Sequence, residues 1–239
     1  MRHLVSALLV LTLPACISVR EVESVQVDGS GLRVVSGRID RGDVAVVASR
    51  GSEMIEVEAV VWGRGSRRER AERRQDAVRW SAVRDGDALL LDGSSSENRS
   101  GVDLTVFGPP LVDVDVVADN GDVALSGIDG VHLITANNIT GDVIGDLDIF
   151  ASQSVDLNFT PYGETDARIV SDGGVTLGLP FGLSYDLTIR GNIDESMEIE
   201  DLGWDDLVLG DGFVNGIRGR GDIEIDISVA GPVRIVSVR

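Results

Sequence analysis

The sequence predicts an all-β protein, a β-solenoid of short strands, with a β-sandwich as the alternative. Three observations carry this. Short segments alternate apolar and polar residues, as in Val112-Asp113-Val114-Asp115-Val116, the two-residue period of a strand with one buried face. Glycine is frequent, at 29 residues, and falls beside Asp or Asn between these segments, where tight turns need backbone conformations that glycine tolerates. Aromatic residues are only 4% of the chain, so the core is built from small aliphatic side chains. These suit a narrow coil covered by its neighbours, whereas a sandwich usually asks for larger ones.

Taken in order, Val25 to Asp28, Leu32 to Ser36, Val44 to Ala48 and Ile55 to Val61 read as strands. Ser66 to Asp76 is the one helical segment, rich in helix formers and with Glu69 and Arg73 at i,i+4 spacing. Strands at Val78 to Val83 and Ala88 to Leu91 follow, and the polar run 93–101 reads as a linker. Beyond it come alternating units at 112–116, 122–125, 131–134, 146–149, 155–159, 167–170, 174–177, 185–189, 206–209, 222–227 and 232–236. Turns are expected at Asn120-Gly121, Asp129-Gly130, Gly141-Asp142, Asp172-Gly173-Gly174 and Asp211-Gly212. The unit Gly-Asp-Val/Ile recurs at 42–44, 121–123, 141–143 and 221–223, an internal echo rather than a strict repeat.

The first residues form an address label. Met1-Arg2-His3 carries a positive charge, Leu4 to Leu13 is an apolar run, and Pro14-Ala15-Cys16 follows, the layout of a secretory signal. The run falls short of the roughly 20 apolar residues of a transmembrane helix. Leu13-Pro14-Ala15-Cys16 resembles a bacterial lipobox. The resemblance implies lipidation of Cys16, cleavage after Ala15 and anchoring by acyl chains; Ile17 after the cysteine points to the outer membrane. The organisation expected is a signal peptide over 1–15, an N-terminal β region with a helical Arg-rich insert over 16–92, the linker, and a β-solenoid domain over 102–239.

Val117-Ala118-Asp119-Asn120-Gly121-Asp122-Val123-Ala124-Leu125-Ser126-Gly127 and the Gly-Asp turns after it resemble the bacterial adhesin-like β-strand repeat family. So do Val175 to Pro180 with Leu187 to Ile189, and Gly219 to Ile225 with Gly231 to Ile235. The resemblance covers about 102–239, and more loosely 22–92. It implies a solenoid in the cell envelope, of unknown function. The chain departs from the family pattern at Asn137-Asn138 and in the acidic stretch 194–206.

Composition narrows the chemistry. The formal net charge is -19, from 40 acidic residues against 21 basic ones, all of them arginine. Such a surface repels phosphates and argues against nucleic acid. One cysteine excludes an internal disulfide framework and cysteine-cluster zinc. His132 is the only histidine of the body and lies in an alternating segment, where a strand-face role is expected. The clusters Asp113/Asp115/Asp119/Asp122, Asp142/Asp146/Asp148 and Asp201/Asp205/Asp206/Asp211 have oxygen ligands suited to Ca²⁺, but read equally as strand faces and turn caps; no cofactor is expected. No Gly-x-Ser-x-Gly elbow occurs, and nothing selects one carboxylate pair for glycan hydrolysis. Arg41-Gly42-Asp43 and Arg220-Gly221-Asp222 are read as glycine turns.

One basic island stands out: Arg64, Arg67, Arg68, Arg70, Arg73, Arg74 and Arg79. Arginine pairs well with phosphate and carboxylate, so the island is the candidate for an anionic partner. The expected function is a non-catalytic, lipid-anchored envelope protein with adhesin-like display, its other partner an unidentified protein or glycan. The alternative is an envelope-stress or assembly accessory that binds an anionic envelope component. A glycan-active β-helix enzyme comes third.

Overall fold

The computed structural model describes residues 16–48, 54–108, 112–162, 165–191 and 197–238. Residues 1–15, where a signal peptide is expected, and residues 194–196 of the acidic stretch lie outside the described residues. Among the described residues the fold is all-β with one helix. Its strands are β1 (Ile17–Asp28), β2 (Val34–Ile39), β3 (Val44–Ala48) and β4 (Met54–Gly65), then helix α1 (Arg68–Gln75). Next come β5 (Val78–Asp85), β6 (Ala88–Ser95), β7 (Ser100–Gly108), β8 (Asp113–Ala118), β9 (Val123–Ile128), β10 (Gly130–Val143) and β11 (Leu147–Phe159). The last are β12 (Asp166–Ser171), β13 (Val175–Pro180), β14 (Tyr185–Gly191), β15 (Met197–Ile199), β16 (Asp206–Gly210), β17 (Phe213–Arg218), β18 (Ile223–Val229) and β19 (Val233–Val238). No helix among the described residues is long and apolar enough to cross a membrane.

The strands form two ladders that share the long strands β10 and β11. One runs β5–β6–β2–β8–β10–β11–β12–β18–β14–β17–β16. The other runs β1–β4–β7–β3–β9–β10–β11–β13–β19–β15. Pairings in the middle of both ladders are parallel, and antiparallel pairs close three of the four ladder ends. Alternate side chains turn inward, such as Val114 and Val116 of β8 and Val123 and Leu125 of β9, and both ladders feed one hydrophobic cluster. Two ladders around a common core are also compatible with the sandwich alternative.

The order of the layers departs from the order of the chain. β2 and β3 lie between β6/β7 and β8/β9, although β6 and β7 come later than β2 and β3 and directly precede β8. Near the other end, β18 and β19 lie between β12/β13 and β14/β15. Twice, layers that follow one another in the chain are separated in space by a distant segment.

A column of polar side chains runs along the corner where the chain passes from one ladder to the other. The Trp62 indole Nε1 donates to Asp103 Oδ1 at 2.9 Å, and the Asp43 amide donates to the same oxygen at 3.2 Å. Asp43 Oδ1 accepts from the Asp122 amide at 2.9 Å, and Asp122 Oδ1 from the Asn138 amide at 3.1 Å. Asn138 Oδ1 then accepts from Ser154 Oγ at 2.7 Å. Each link joins adjacent layers, so the column follows the spatial order and satisfies corner amides that the ladders leave free.

Several expected features differ. The run 93–101 is no unpaired linker: Gly93 to Ser95 end β6 opposite Trp80 to Val78, and Ser100 and Gly101 open β7 opposite Gly63 and Trp62. Strands β7, β15 and β17 were not expected. Gly141-Asp142 is not a turn but lies inside β10; Gly141 has φ +126°, and a Cβ there would drive into the Leu125 carbonyl oxygen of the neighbouring strand. Asn137-Asn138 occupies the same station as Gly121-Asp122 one layer away, with the Asn137 amide donating to the Gly121 carbonyl.

Candidate functional site

The arginine island lies at one end of the ladders. Helix α1 packs on the inner side of β4 because Gly63 and Gly65 have no side chains there; a Cβ on Gly63 would strike the Ala71 carbonyl oxygen. Ala71 and Gln75 are the buried residues of the helix, and Gln75 Nε2 donates to Glu21 Oε2 at 3.3 Å. The helix thus covers the end of the core with its inner face and turns Arg68, Arg70 and Arg73 outward, while Arg74 is half-buried. Arg73 and Arg74 occupy its last turn, where cations complement the helix dipole.

The seven arginines divide into two groups. Arg68 Nε donates to Glu72 Oε1 at 2.7 Å, and this bond raises the guanidinium further above its ordinary range. Arg74 donates to the Arg64 carbonyl, and Arg79 to the carbonyls of Asp76 and Val78. Arg64 stacks over Trp62, 4.9 Å from the ring centre. By contrast, Arg67, Arg70 and Arg73 are exposed, form no ion pair among the described residues, and line a hollow of 390 Å³ with Ser66 and Glu69. The expected Glu69/Arg73 pair is replaced by Arg68–Glu72.

Pairing brings further residues beside Arg64. The Arg64 amide donates to the Arg99 carbonyl at 2.9 Å, and Arg20 of β1 lies opposite Trp62, on the face of β4 away from α1. The same register brings Cys16 here. Ile17 pairs with Gly65 and Ser18 with Arg64, so the exposed Cys16 precedes β1 at the corner where α1 begins. With strands about 4.8 Å apart and 3.8 Å per Cα step, Cys16 lies within roughly 10 Å of the Arg64–Ser66 backbone.

Several members of the aspartate clusters are taken up by protein donors. Asp113 Oδ2 is 3.2 Å from His132 Nε2, on an exposed strand face as expected for this histidine. Asp119 pairs with Arg38 at 2.7 Å, Asp142 accepts from Asn158, and Asp146 from the Asp166 amide. Asp201 and Asp205 accept from the amides of Gly203 and Gly219. Among the described residues, no three His, Cys, Asp or Glu side chains are arranged to hold a metal ion. The tripeptide at 41–43 is committed to the fold: the Arg41 guanidinium reaches the Ser95 and Glu97 carbonyls and Asn98, and Asp43 belongs to the corner column. A shallow groove of 320 Å³ crosses β12, β18 and β14, where Asp166, Glu224 and Asp186 stand in register and Arg190 chelates both oxygens of Asp226.

No family model matches the chain, and no curated protein matches it. Among solved structures, it is similar to a "putative cell adhesion protein" of Clostridium sporogenes, at 11% identity over 92% of this chain and 100% of the other, with a TM-score of 0.48. It is also similar to a "putative adhesin" of Bacteroides fragilis, at 10% identity, 91% and 97% coverage and TM-score 0.35. A third, a "putative adhesin" of Parabacteroides merdae, gives 12% identity, 92% and 96% coverage and TM-score 0.27. At TM-scores below 0.5 these likenesses assign no activity to the chain.

Proposed function

We propose that the chain is a non-catalytic, lipid-anchored protein of the bacterial cell envelope, whose solenoid-type body serves as an adhesin-like display or interaction module. The observation that supports it is the register of the outer faces. Rows such as Asp166–Glu224–Asp186 and Arg168–Asp226–Thr188 present side chains from three adjacent strands on a backbone fixed by parallel pairing. A surface of this kind recognises partners by charge and hydrogen bonding without ordering loops first. No step of chemistry belongs to this reading, and a panel of neutral and anionic polysaccharides is expected to show no turnover.

Protease treatment of intact cells tests it, comparing the native protein with Cys16→Ala. Digestion of the native body, with Cys16→Ala lost from the membrane fraction, is the expected result. Protection in intact cells with digestion after outer-membrane permeabilisation would put the body inside the envelope and end the surface-display reading. The accessory alternative, binding an anionic envelope component, is supported by Arg67, Arg70 and Arg73, exposed and without an ion pair among the described residues.

A further inference from the structure

The end of the molecule that carries Cys16 is also its basic end. Residues 64–79 hold seven arginines against three carboxylates, in a chain whose net charge is -19. Arg67, Arg70 and Arg73 point away from the core with no ion-pair partner among the described residues, and the one β1 carboxylate that meets α1, Glu21, is held by Gln75. No spacer separates the cysteine from the fold, because β1 begins at Ile17. Whatever holds Cys16 therefore holds this end within a few ångströms. The opposite end carries Asp201, Asp205, Asp206 and Asp211 without a basic residue between them.

We propose that the α1 end is a membrane-docking surface for anionic lipid headgroups, with Arg67, Arg70 and Arg73 as its contact residues. This rests on the lipid-anchored reading above for its biological setting, but the surface itself is a property of the folded chain. An acyl anchor beside a basic patch supplies two membrane signals at one place. The acidic remainder is repelled by the same surface, so anchoring and repulsion together set the orientation. The ladders then rise from the bilayer, and β15 stands eight strand spacings from β4, roughly 40 Å out.

The chain's single thiol makes a test independent of natural acylation. The full chain is coupled through Cys16 to a maleimide-bearing lipid in vesicles of pure phosphatidylcholine, or of equal parts phosphatidylcholine and phosphatidylglycerol. Tryptic cleavage at Arg67 to Arg74 is timed against cleavage at Arg218 and Arg220. Docking predicts that cleavage within α1 slows on the order of tenfold on the anionic vesicles only, and recovers in high salt. The triple variant Arg67→Gln/Arg70→Gln/Arg73→Gln should lose this difference at Arg68 and Arg74, its fold being checked by circular dichroism. Equal rates on the two vesicles, or a difference that survives in the triple variant, would overturn the proposal. Mass spectrometry of Cys16 from native membranes separately decides the anchor: an unmodified thiol removes the lipid-anchored reading and leaves the vesicle result standing.

Discussion

Asp122 and Asn138 are joined twice through one oxygen: Asp122 Oδ1 accepts the Asn138 backbone amide at 3.1 Å and its side-chain amide at 2.8 Å. They sit at equivalent corners of adjacent layers, sixteen residues apart. Asp122 in turn donates its amide to Asp43, 79 residues away. A local contact and a remote one thus meet at one residue.

Asp122→Ala should therefore cost more than a surface aspartate. It removes both bonds to Asn138, and a loss of about 1–2 kcal/mol is expected. Asp119→Ala, which breaks only the exposed pair with Arg38, should cost less. Urea midpoints at constant slope compare the two.

Gly63→Ala should unseat α1. The new methyl meets the Ala71 carbonyl, part of the helix backbone, which has no rotamer to yield. A cost of about 2 kcal/mol is expected, with earlier proteolysis within 64–79 than at other sites.

Tyr185 gives the fold an alkaline limit. Burial pushes its phenol up to about 12, and the hydroxyl donates to the Pro180 carbonyl at 2.8 Å. The folded pKa lies above the ordinary value of about 10, so this contribution is complete below pH 10 and is lost as pH rises through 12. Stability should fall across that window in the native protein, and less in Tyr185→Phe. Absorbance at 295 nm should resolve Tyr185 from the exposed Tyr162, which the Asp129 hydrogen bond also raises.

Truncation after Asp222 should unfold far more than the missing strands. β18 and β19 are inner layers, and without them β14 and β15 lose their parallel partners and β12 and β13 their covering. Loss of the cooperative transition in circular dichroism is expected, where removal of an outer layer would leave a shorter folded body.

Most strands were legible because one face of each is buried, and the two-residue period survives whatever the neighbours are. β17 was not, because its outward positions are the apolar Phe213 and Ile217 while Gly216 faces inward. The start of β7 was hidden by serines that look like linker composition. Ser100 is fully buried, and its hydroxyl reaches the Glu97 carbonyl and Ser95 within the turn. The layer order left no local trace, since every inner face offers similar valines and isoleucines. It is written in remote pairs such as Asp43 with Asp122. Of the basic end, the arginine run was legible, but Cys16 reaches it only through β pairing.

The interleaved layers also decide how the protein bears load. In a stack threaded in chain order, a pull on the C-terminus peels away the outermost layer one hydrogen bond at a time. Here β19 is clasped between β13 and β15, so the same pull must slide it along both partners at once. Many bonds then resist together, as in a tongue drawn from a groove rather than tape lifted from a surface. A tether fastened near Cys16 would meet a body that does not unravel from β19 inward.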